Sequence, residues 1–600
     1  MIVFRNVFAI IVLFITLHSL YAQRNPEITI PELQKHLKYL ASDKLQGREA
    51  GTKGAEEAAR YLANEFKLYG LKPLGDKGTY LQNFNFISTP KPGKANVLSL
   101  VINGKTRQGK MDKDFRPFNF SANNSFQSQV MFVGYGISAP SLGYDDYAGL
   151  DVKDKILIML RNSPPSDSIK NFGQFSRDRY KASKAKELGA KALLLVQGIE
   201  DYKTDNLVSL RYDISSGGSA GIVVIHIKRS LADEILASVK QTINDLQKKI
   251  NETKSPSSFA LTDVVVRGSV DLKEMSVTTA NVVGMLEGTD PSLKDQVIVI
   301  GAHYDHLGMG LEGSSMKPEM KAVHNGADDN GSGTTGLLEL AQAFAAKRLE
   351  LKRSMIFVAF TGEELGVLGS AHYVKTPPYP LEKTAVMMNM DMIGRLNNRK
   401  LIVYGTGTSP DFEKLAKKYN RDSTFDLKLV KDGFGPSDQA SFYGKNIPVY
   451  HFFTDLHSDY HTPFDDYEKI NFDGMKKVVK YVYEIAHDLD IVPERPKYLA
   501  VETPKAPAGR GVSVSTGVIP DFGGEGDGFK ISGVRAGSTM ANAGLTGGDI
   551  IIKFGKVDIK NIYDYTYALG EYKPGDEVEV TYKRGTEVKT IKVKLEKRSN

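Results

Sequence analysis

Imidazole and carboxylate side chains are concentrated between residues 297 and 463, where most of them follow apolar runs. Such nitrogen and oxygen atoms are ligands for zinc and similar ions. Two ions about 3.5–4 Å apart need one bridging carboxylate and roughly two further ligands each. One more carboxylate could serve as general base. The candidates are His303, Asp305, Asp328, Asp329, Glu363, Glu364, Asp391 and His461.

Each of these residues also has a simpler interpretation. A histidine at a strand end is commonly structural, two adjacent glutamates are commonly a solvated surface pair, and Asp-Asp-Asn-Gly is a typical turn. Asp391 is harder to explain in this way, because it ends an apolar run where an unpaired carboxylate would be costly to bury. Their joint occurrence, in this order, favours a metal site.

The elements that must position these residues are apolar runs that alternate with helical patterns such as Thr335–Ala346. This alternation predicts an α/β fold with a mainly parallel mixed sheet covered by helices. Sites in such sheets form outside the carboxyl ends of the strands, so we expect the acidic and imidazole groups to converge there. The predicted strands are Val297–Ala302, Met355–Phe360, Val386–Met390, Leu401–Tyr404 and Pro448–Phe453.

Composition restricts the chemistry. The chain has 600 residues, eleven histidines and no cysteine, so disulfides, thiolate metal sites and a cysteine nucleophile are excluded. The net charge of +7 is spread over the whole length, and no basic run indicates a nucleic-acid partner. Any metal must therefore be bound by histidine, aspartate and glutamate.

The first residues read as a signal peptide. Arg5 precedes an apolar run that ends before His18, and a small residue, Ala22, follows. The run is too short to span a bilayer, and no later run is long enough, so we expect an exported protein, periplasmic or secreted, without a transmembrane segment after signal removal. The predicted domains are the signal peptide (1–22), the N-terminal part of the main domain (23–120), a β-rich insert (121–266), the rest of the main domain (267–493), a stiff linker (494–508) and a β-rich C-terminal module (509–600).

The ordered motifs resemble the zinc aminopeptidase family that includes glutamate carboxypeptidase II. They are Gly301-Ala302-His303-Tyr304-Asp305, Gly326 to Gly333, Thr361 to Gly366, Asn389-Met390-Asp391 and Tyr460 to Pro463. The resemblance implies two Zn²⁺ per chain, with His303 and Asp391 on one, Glu364 and His461 on the other, and Asp329 bridging; Asp328 is the less favoured bridge. It also implies a water activated between the ions, with Glu363 as general base.

Other residues near the motifs are not predicted to bind metal. Asp305 could orient the His303 imidazole. Ser437 and Asp438 lie where relatives have a Ser-Asp element near the substrate, so they are possible substrate contacts or a structural turn. The remaining histidines near the motifs are expected to have no special role. They are His306, His324, His372, His451 and His457.

Two flanking segments resemble known modules. The insert is similar to a protease-associated domain, although a plain structural insert fits as well. Residues 509–600 resemble a PDZ domain with a β-barrel-like fold, whose predicted carboxylate loop is Thr516, Gly517, Val518 and Ile519. Such a loop could bind a peptide carboxyl terminus by strand addition, but a module for docking or stability is the alternative.

The leading expectation is an exported metallo-aminopeptidase that removes amino-terminal residues from peptides. The alternatives are a carboxypeptidase, a dipeptidase or another amidohydrolase on the same metals, and an inactive peptide-binding scaffold. Cobalt or manganese would fit the same ligands as zinc.

Overall fold

The computed structural model describes residues 26–165, 172–208, 210, 219–310, 315–317, 320–435, 437–501, 514–520, 528–534, 537–560 and 562–597. The predicted signal peptide and residues 502–508 of the predicted linker lie outside the described residues. The helices are α1 (Ile30–Leu40), α2 (Lys53–Tyr69), α3 (Asp178–Glu187), α4 (Arg229–Leu236), α5 (Ile243–Thr253), α6 (Gly333–Ala346), α7 (Leu368–Lys375), α8 (Phe412–Tyr419), α9 (Gln439–Tyr443), α10 (Phe472–Ile491), α11 (Thr539–Asn542) and α12 (Ile562–Gly570).

The strands fall into a main sheet, an insert sheet, a C-terminal sheet and two short pairs. In chain order they are β1 (Lys72–Pro73), β2 (Leu81–Pro92), β3 (Val97–Ile102), β4 (Lys105–Gln108), β5 (Phe115–Pro117), β6 (Ser125–Val133), β7 (Ser138–Ala139), β8 (Tyr144–Asp145), β9 (Ile156–Leu160), β10 (Ala192–Val196), β11 (Val223–Ile227), β12 (Ser258–Ser269), β13 (Leu272–Leu286), β14 (Val297–His303), β15 (Ser354–Phe360), β16 (Thr384–Met390), β17 (Lys400–Tyr404), β18 (Asp426–Leu429), β19 (Val449–Phe453), β20 (Val514–Ser515), β21 (Val518–Pro520), β22 (Phe529–Val534), β23 (Ile550–Phe554), β24 (Val557–Asp558), β25 (Glu577–Arg584), β26 (Glu587–Lys594) and β27 (Glu596–Lys597).

The main sheet has the order β1-β13-β15-β14-β16-β19-β17-β18, and β2 also pairs with β13. Its four central strands, β15, β14, β16 and β19, run parallel. Every residue of β14, β15 and β16 is buried, as expected for parallel strands with both faces covered. The predicted fold class is confirmed, and all five predicted strands begin and end within two residues of the observed ones.

Helices cover both faces of this sheet. On one face α1, α2, α6 and α10 contribute buried apolar side chains such as Leu37, Phe66, Leu340 and Val482 to a single core. On the other face Tyr373 of α7 and Phe442 of α9 pack with the strands. Because the helices close both faces, the edge at the carboxyl ends of the parallel strands is where polar side chains can collect.

The insert sheet has the order β4-β3-β12-β6-β9-β10-β11-β5. It begins at Val97, so β3, β4 and β5 belong to it rather than to the N-terminal part of the main domain, as the boundary at residue 120 had implied. The composition change after Ser121 gave no sign of these strands, because β3 pairs with β12 and β5 pairs with β11, and both partners lie far away in the chain. The insert also contains α3, α4 and α5, so it is a mixed α/β unit rather than merely β-rich.

The C-terminal module has the sheet order β21-β22-β23-β25-β26, with α12 packed on its core. In the predicted carboxylate loop, the Thr516 hydroxyl lies 2.6 Å from the Tyr565 hydroxyl of α12, and Val518 pairs with Val534. A role for this loop in binding a peptide carboxylate stays a prediction. In the part of the chain that the structure describes, no helix is both long and apolar enough to cross a membrane.

Candidate metal centre

Three neighbouring strands deliver the predicted site residues to one edge of the main sheet. His303 is the last residue of β14, and it lies opposite Phe360, the last residue of β15. Glu363 and Glu364 follow in the turn after β15, and Asp391 directly follows β16. The parallel register therefore brings side chains that are far apart in sequence to one place.

One group of ligand atoms forms around His303. Its Nε2 atom lies 3.4 Å from Asp329 Oδ1 and 3.4 Å from Asp391 Oδ1. The His303 Nδ1 atom lies 3.2 Å from the Asp305 carbonyl oxygen, which can only accept a hydrogen bond. Because Nδ1 makes this hydrogen bond, Nε2, which lies near the two carboxylates, is the nitrogen that could bind an ion.

A second group forms around His461. Its Nε2 atom lies 3.2 Å from Asp329 Oδ2 and 3.2 Å from Glu364 Oε2. Asp329 thus presents one oxygen to the His303 group and its other oxygen to the His461 group. A carboxylate that faces two ligand groups in this way has the geometry of a bridge between two ions.

The spacing of these atoms fits zinc. Tetrahedral zinc with nitrogen and oxygen ligands at about 2.0–2.1 Å separates neighbouring ligand atoms by about 3.3 Å. The four distances above are 3.2–3.4 Å. In addition, His303 Nε2 and Asp391 Oδ1 are buried and make no hydrogen bond. Buried polar atoms without partners are costly, so an ion bound by both groups would satisfy atoms that the protein leaves unpaired.

Asp329 is held by its backbone. It lies in the helical turn Ala327–Ser332 that leads into α6. The Asp465 carboxylate accepts the amide hydrogens of Asp328 and Asp329, at 2.9 and 3.0 Å. Asp328 turns away from the site, because its Oδ1 accepts the Gly394 amide hydrogen at 2.6 Å. The geometry therefore favours Asp329 over Asp328 as the bridge.

The adjacent glutamates differ in their charge environment. Burial raises the pKa of Glu363 well above its usual range, and although His303 opposes this, the carboxylates of Glu364 and Asp391 raise it further. Burial also opposes ionisation of Glu364, but the imidazoles of His461 and His306 lower its pKa well below the usual range. Two neighbouring carboxyl groups whose pKa values are shifted in opposite directions suit different roles, one as a proton acceptor and the other as an ionised metal ligand.

Asp305, which the sequence predicts to orient the His303 imidazole, lies beside it. Its backbone carbonyl, rather than its carboxylate, is the atom nearest to His303 Nδ1; the carboxylate Oδ1 lies 3.7 Å away. That same Oδ1 accepts the amide hydrogen of Glu363 at 3.2 Å. Asp305 thus connects the His303 strand end to the turn that carries both glutamates.

A cleft of about 430 Å³ opens onto these groups. Asp329, Glu363, Asp391 and His461 form its polar wall. The remaining lining residues are mostly apolar or aromatic, and the sequence analysis assigned none of them to the cleft. They are Met392, His451, Phe453, Leu456 and Tyr460.

The structure does not support substrate contact by Ser437 and Asp438. Their exposed fractions are 1% and 0%, and neither lines the cleft. The Ser437 hydroxyl instead accepts a hydrogen bond from Asn389 Nδ2 at 2.9 Å. The turn before α9 packs behind the ligands, so these two residues lie beneath the site rather than on its surface.

Two histidines that were expected to have no special role contact the site residues. His306 Nδ1 lies 2.7 Å from Glu364 Oε1, the carboxylate oxygen that His461 does not face. His457 Nε2 lies 3.2 Å from Asp328 Oδ2. The sequence signal for His306 was its position three residues after His303, in the same strand-end loop.

Known protein families and individual proteins are similar to parts of this chain. Residues 281–486 match the profile described as Peptidase family M28, and residues 511–595 match that of a PDZ domain. Aminopeptidase YwaD of Bacillus subtilis is 26% identical over 367 residues, which are 58% of this chain and 67% of that protein. Leucine aminopeptidase 2 of Trichophyton equinum is 30% identical over 211 residues, 32% of this chain, and the chain spans only 38% of that relative.

Among solved structures, an aminopeptidase from Aneurinibacillus sp. strain AM-1 is similar at 21% identity and a TM-score of 0.48, covering 81% of this chain and 99% of that one. The fold, the ligand groups and the matched profile define the class of this protein as a zinc peptidase. Residues 281–486 are therefore similar to peptidase family M28, and residues 511–595 are similar to a PDZ domain.

Proposed function

We propose that this chain is an exported aminopeptidase with two zinc ions, which removes amino-terminal residues from peptides. The observation that supports it most strongly is the position of Asp329, whose two oxygens face two separate ligand groups. His303 and Asp391 would bind one ion, and Glu364 and His461 the other. Zinc in such a pair polarises a carbonyl group and lowers the pKa of a nearby water.

Glu363 is the proposed general base. Its carboxylate lines the cleft, and its Oε2 atom lies 3.9 Å from His303 Nε2, so it is beside the ligands without facing both of them. The raised pKa makes the carboxylate a competent proton acceptor. It would take a proton from the attacking water and pass it to the leaving amine.

Cleavage at the amino end is supported by the similarity to Aminopeptidase YwaD and Leucine aminopeptidase 2. Export is proposed from the sequence pattern of residues 1–22, and the similarity of the insert to a protease-associated domain likewise rests on sequence. The PDZ domain is proposed to bind a peptide carboxyl terminus.

The experiment compares three peptides of one sequence: unmodified, acetylated at the amino end, and amidated at the carboxyl end. We expect release of the first residue from the unmodified and amidated peptides and none from the acetylated one. Equal cleavage of the acetylated peptide would indicate another amidohydrolase, and loss of cleavage on amidation alone would indicate a carboxypeptidase. The full-length chain loaded with zinc is used throughout.

A further inference from the structure

Arg48 is a fully buried arginine beside the metal centre that no step of the proposed reaction uses. It ends the helical turn Asp43–Arg48 between α1 and α2, and its exposed fraction is 1%. Among the described residues, no carboxylate lies within ion-pair distance of its guanidinium. Arginine is almost never buried so completely without a partner, so its contacts need a separate explanation.

Its partners are four backbone carbonyl groups, three of which belong to the two loops that carry metal ligands. Arg48 Nε donates to the carbonyl of Tyr304 at 2.7 Å. Nη1 donates to the carbonyl of Asn325 at 2.7 Å and also to that of Leu40, and Nη2 donates to the carbonyl of Gly326 at 2.9 Å. One planar guanidinium thus joins the loop after His303 to the loop before Asp329.

The backbone around Arg48 makes further contacts with the first of these loops. The Arg48 carbonyl accepts the amide hydrogen of His306 at 3.2 Å, and the Gly47 carbonyl accepts that of Gly308 at 3.0 Å. Gly47 has a φ of +69°, and a Cβ added there would lie 2.5 Å from the Gly308 carbonyl oxygen. Glycine is required for this close approach, so the Gly47-Arg48 pair is shaped to lie against the loop.

Charge adds a second reason for an arginine here. Burial lowers the pKa of Arg48 to about 10, so the group stays charged at neutral pH, and the carboxylates of Asp305, Asp329, Asp465 and Glu364 oppose the effect of burial. A buried cation stabilises this group of nearby carboxylates without occupying any of their oxygens. Its donors all point to carbonyls, which leaves the carboxylates available to metal.

We propose that Arg48 is a positioning residue that fixes the His303 loop relative to the Asp329 loop and thereby sets the zinc affinity of the two-ion site. It acts through backbone carbonyls and touches neither ion nor substrate. This inference rests on the two-zinc site proposed above. Residues that orient metal ligands indirectly contribute roughly 10–100-fold to metal affinity.

Arg353 is a matched control. It is also fully buried, with an exposed fraction of 0%, and it also donates to backbone carbonyls, those of Leu489 at 2.8 Å and Asp490 at 3.1 Å. It directly precedes β15, so it lies at the amino end of the strand whose carboxyl end leads to the metal centre. Replacing it disturbs a buried carbonyl cluster of the same kind away from the ligands.

The test compares Arg48→Lys with Arg353→Lys in the full-length protein. Zinc affinity is measured by competition with a chromophoric chelator, and thermal unfolding is measured without zinc. Lysine keeps the charge but loses the planar fork. We expect both variants to unfold at a lower temperature, and only Arg48→Lys to lose about 10-fold or more in zinc affinity. If Arg48→Lys does not fold, Arg48→Gln, which keeps two donors, is measured in the same way.

Unchanged zinc affinity in the Arg48 variant, or an equal loss in both variants, would overturn this inference. The wild-type titration separates the two proposals. A wild-type chain that binds no zinc would contradict the proposed function itself. A wild-type chain that binds two ions, together with an Arg48 variant that binds them equally well, would contradict only the role of Arg48.

Discussion

The main sheet and the insert sheet are built alike at their centres and differ at their strand ends. Strands β9, β10 and β11 of the insert run parallel and are fully buried, as are β14, β15 and β16 of the main sheet. The insert strands are followed by Arg161, Gln197 and Lys228. Those of the main sheet lead to imidazoles and carboxylates. Among the described residues, the groups that could bind metal all lie in the main domain.

Several polar groups are paired within the protein at the edge of the insert sheet where β9, β10 and β11 end (the insert edge), although Asp178 Oδ1 is buried without a hydrogen-bond partner. Lys181 Nζ donates to the carbonyls of Leu160 and Asn162 at 2.8 and 2.6 Å, and Arg161 Nη2 lies 2.8 Å from Asp178 Oδ2. At the edge of the main sheet where β14, β15 and β16 end (the main edge), His303 Nε2 and Asp391 Oδ1 also lack partners, and these two residues belong to a group that could bind a metal. The comparison teaches that a shared strand arrangement does not determine a site; the residue types at the strand ends do.

The largest expected effect is on catalysis at the main edge. The variant Glu363→Gln removes the proton acceptor but keeps the size of the side chain, so we expect kcat to fall by about 10²–10⁴-fold while zinc content is unchanged. Steady-state kinetics and metal analysis measure both. The control is Glu382→Gln, an exposed carboxylate just before the amino end of β16, for which we expect normal kcat. Near-normal turnover by the Glu363 variant would refute its role as base.

A smaller effect is expected at the insert edge. The variant Arg161→Met leaves the Asp178 carboxylate without its ion-pair partner, so we expect the free energy of unfolding to fall by about 1–3 kcal/mol. Chemical denaturation measures this change. We also expect kcat to stay at the wild-type value, because the insert edge has no catalytic group. A large drop in kcat with unchanged stability would contradict this expectation, because it would mean that the insert edge contributes to catalysis.

The fold and the ligand groups could be predicted because their signals are local. Apolar runs of strand length predict the positions of β14, β15 and β16. The candidate ligands His303 and Asp391 lie at or just after the ends of these runs, so the sequence alone identifies them. The parallel register then brought these residues together, as parallel strands require. The two-sided position of Asp329 agrees with the resemblance drawn from the motifs.

Other features depend on contacts between distant parts of the chain and could not be predicted in the same way. Arg48 and Asn325 are far apart in the sequence, and the packing of α1 and α2 on the sheet brings them together. Ser437 and Asp438 follow a plausible motif, but packing places them behind the ligands. The sequence does not predict the contact of His306 with Glu364, because Glu364 comes from the turn after another strand.

The number of zinc ions per chain tests the central claim most directly. Metal analysis of the purified full-length protein, and of His303→Ala and His461→Ala, counts the ions that the two groups bind. The two-sided position of Asp329 predicts two ions in the wild type and about one in each variant, since each substitution removes a ligand from only one group. A wild-type chain with a single ion, or variants that both retain two, would contradict a site built on two metals.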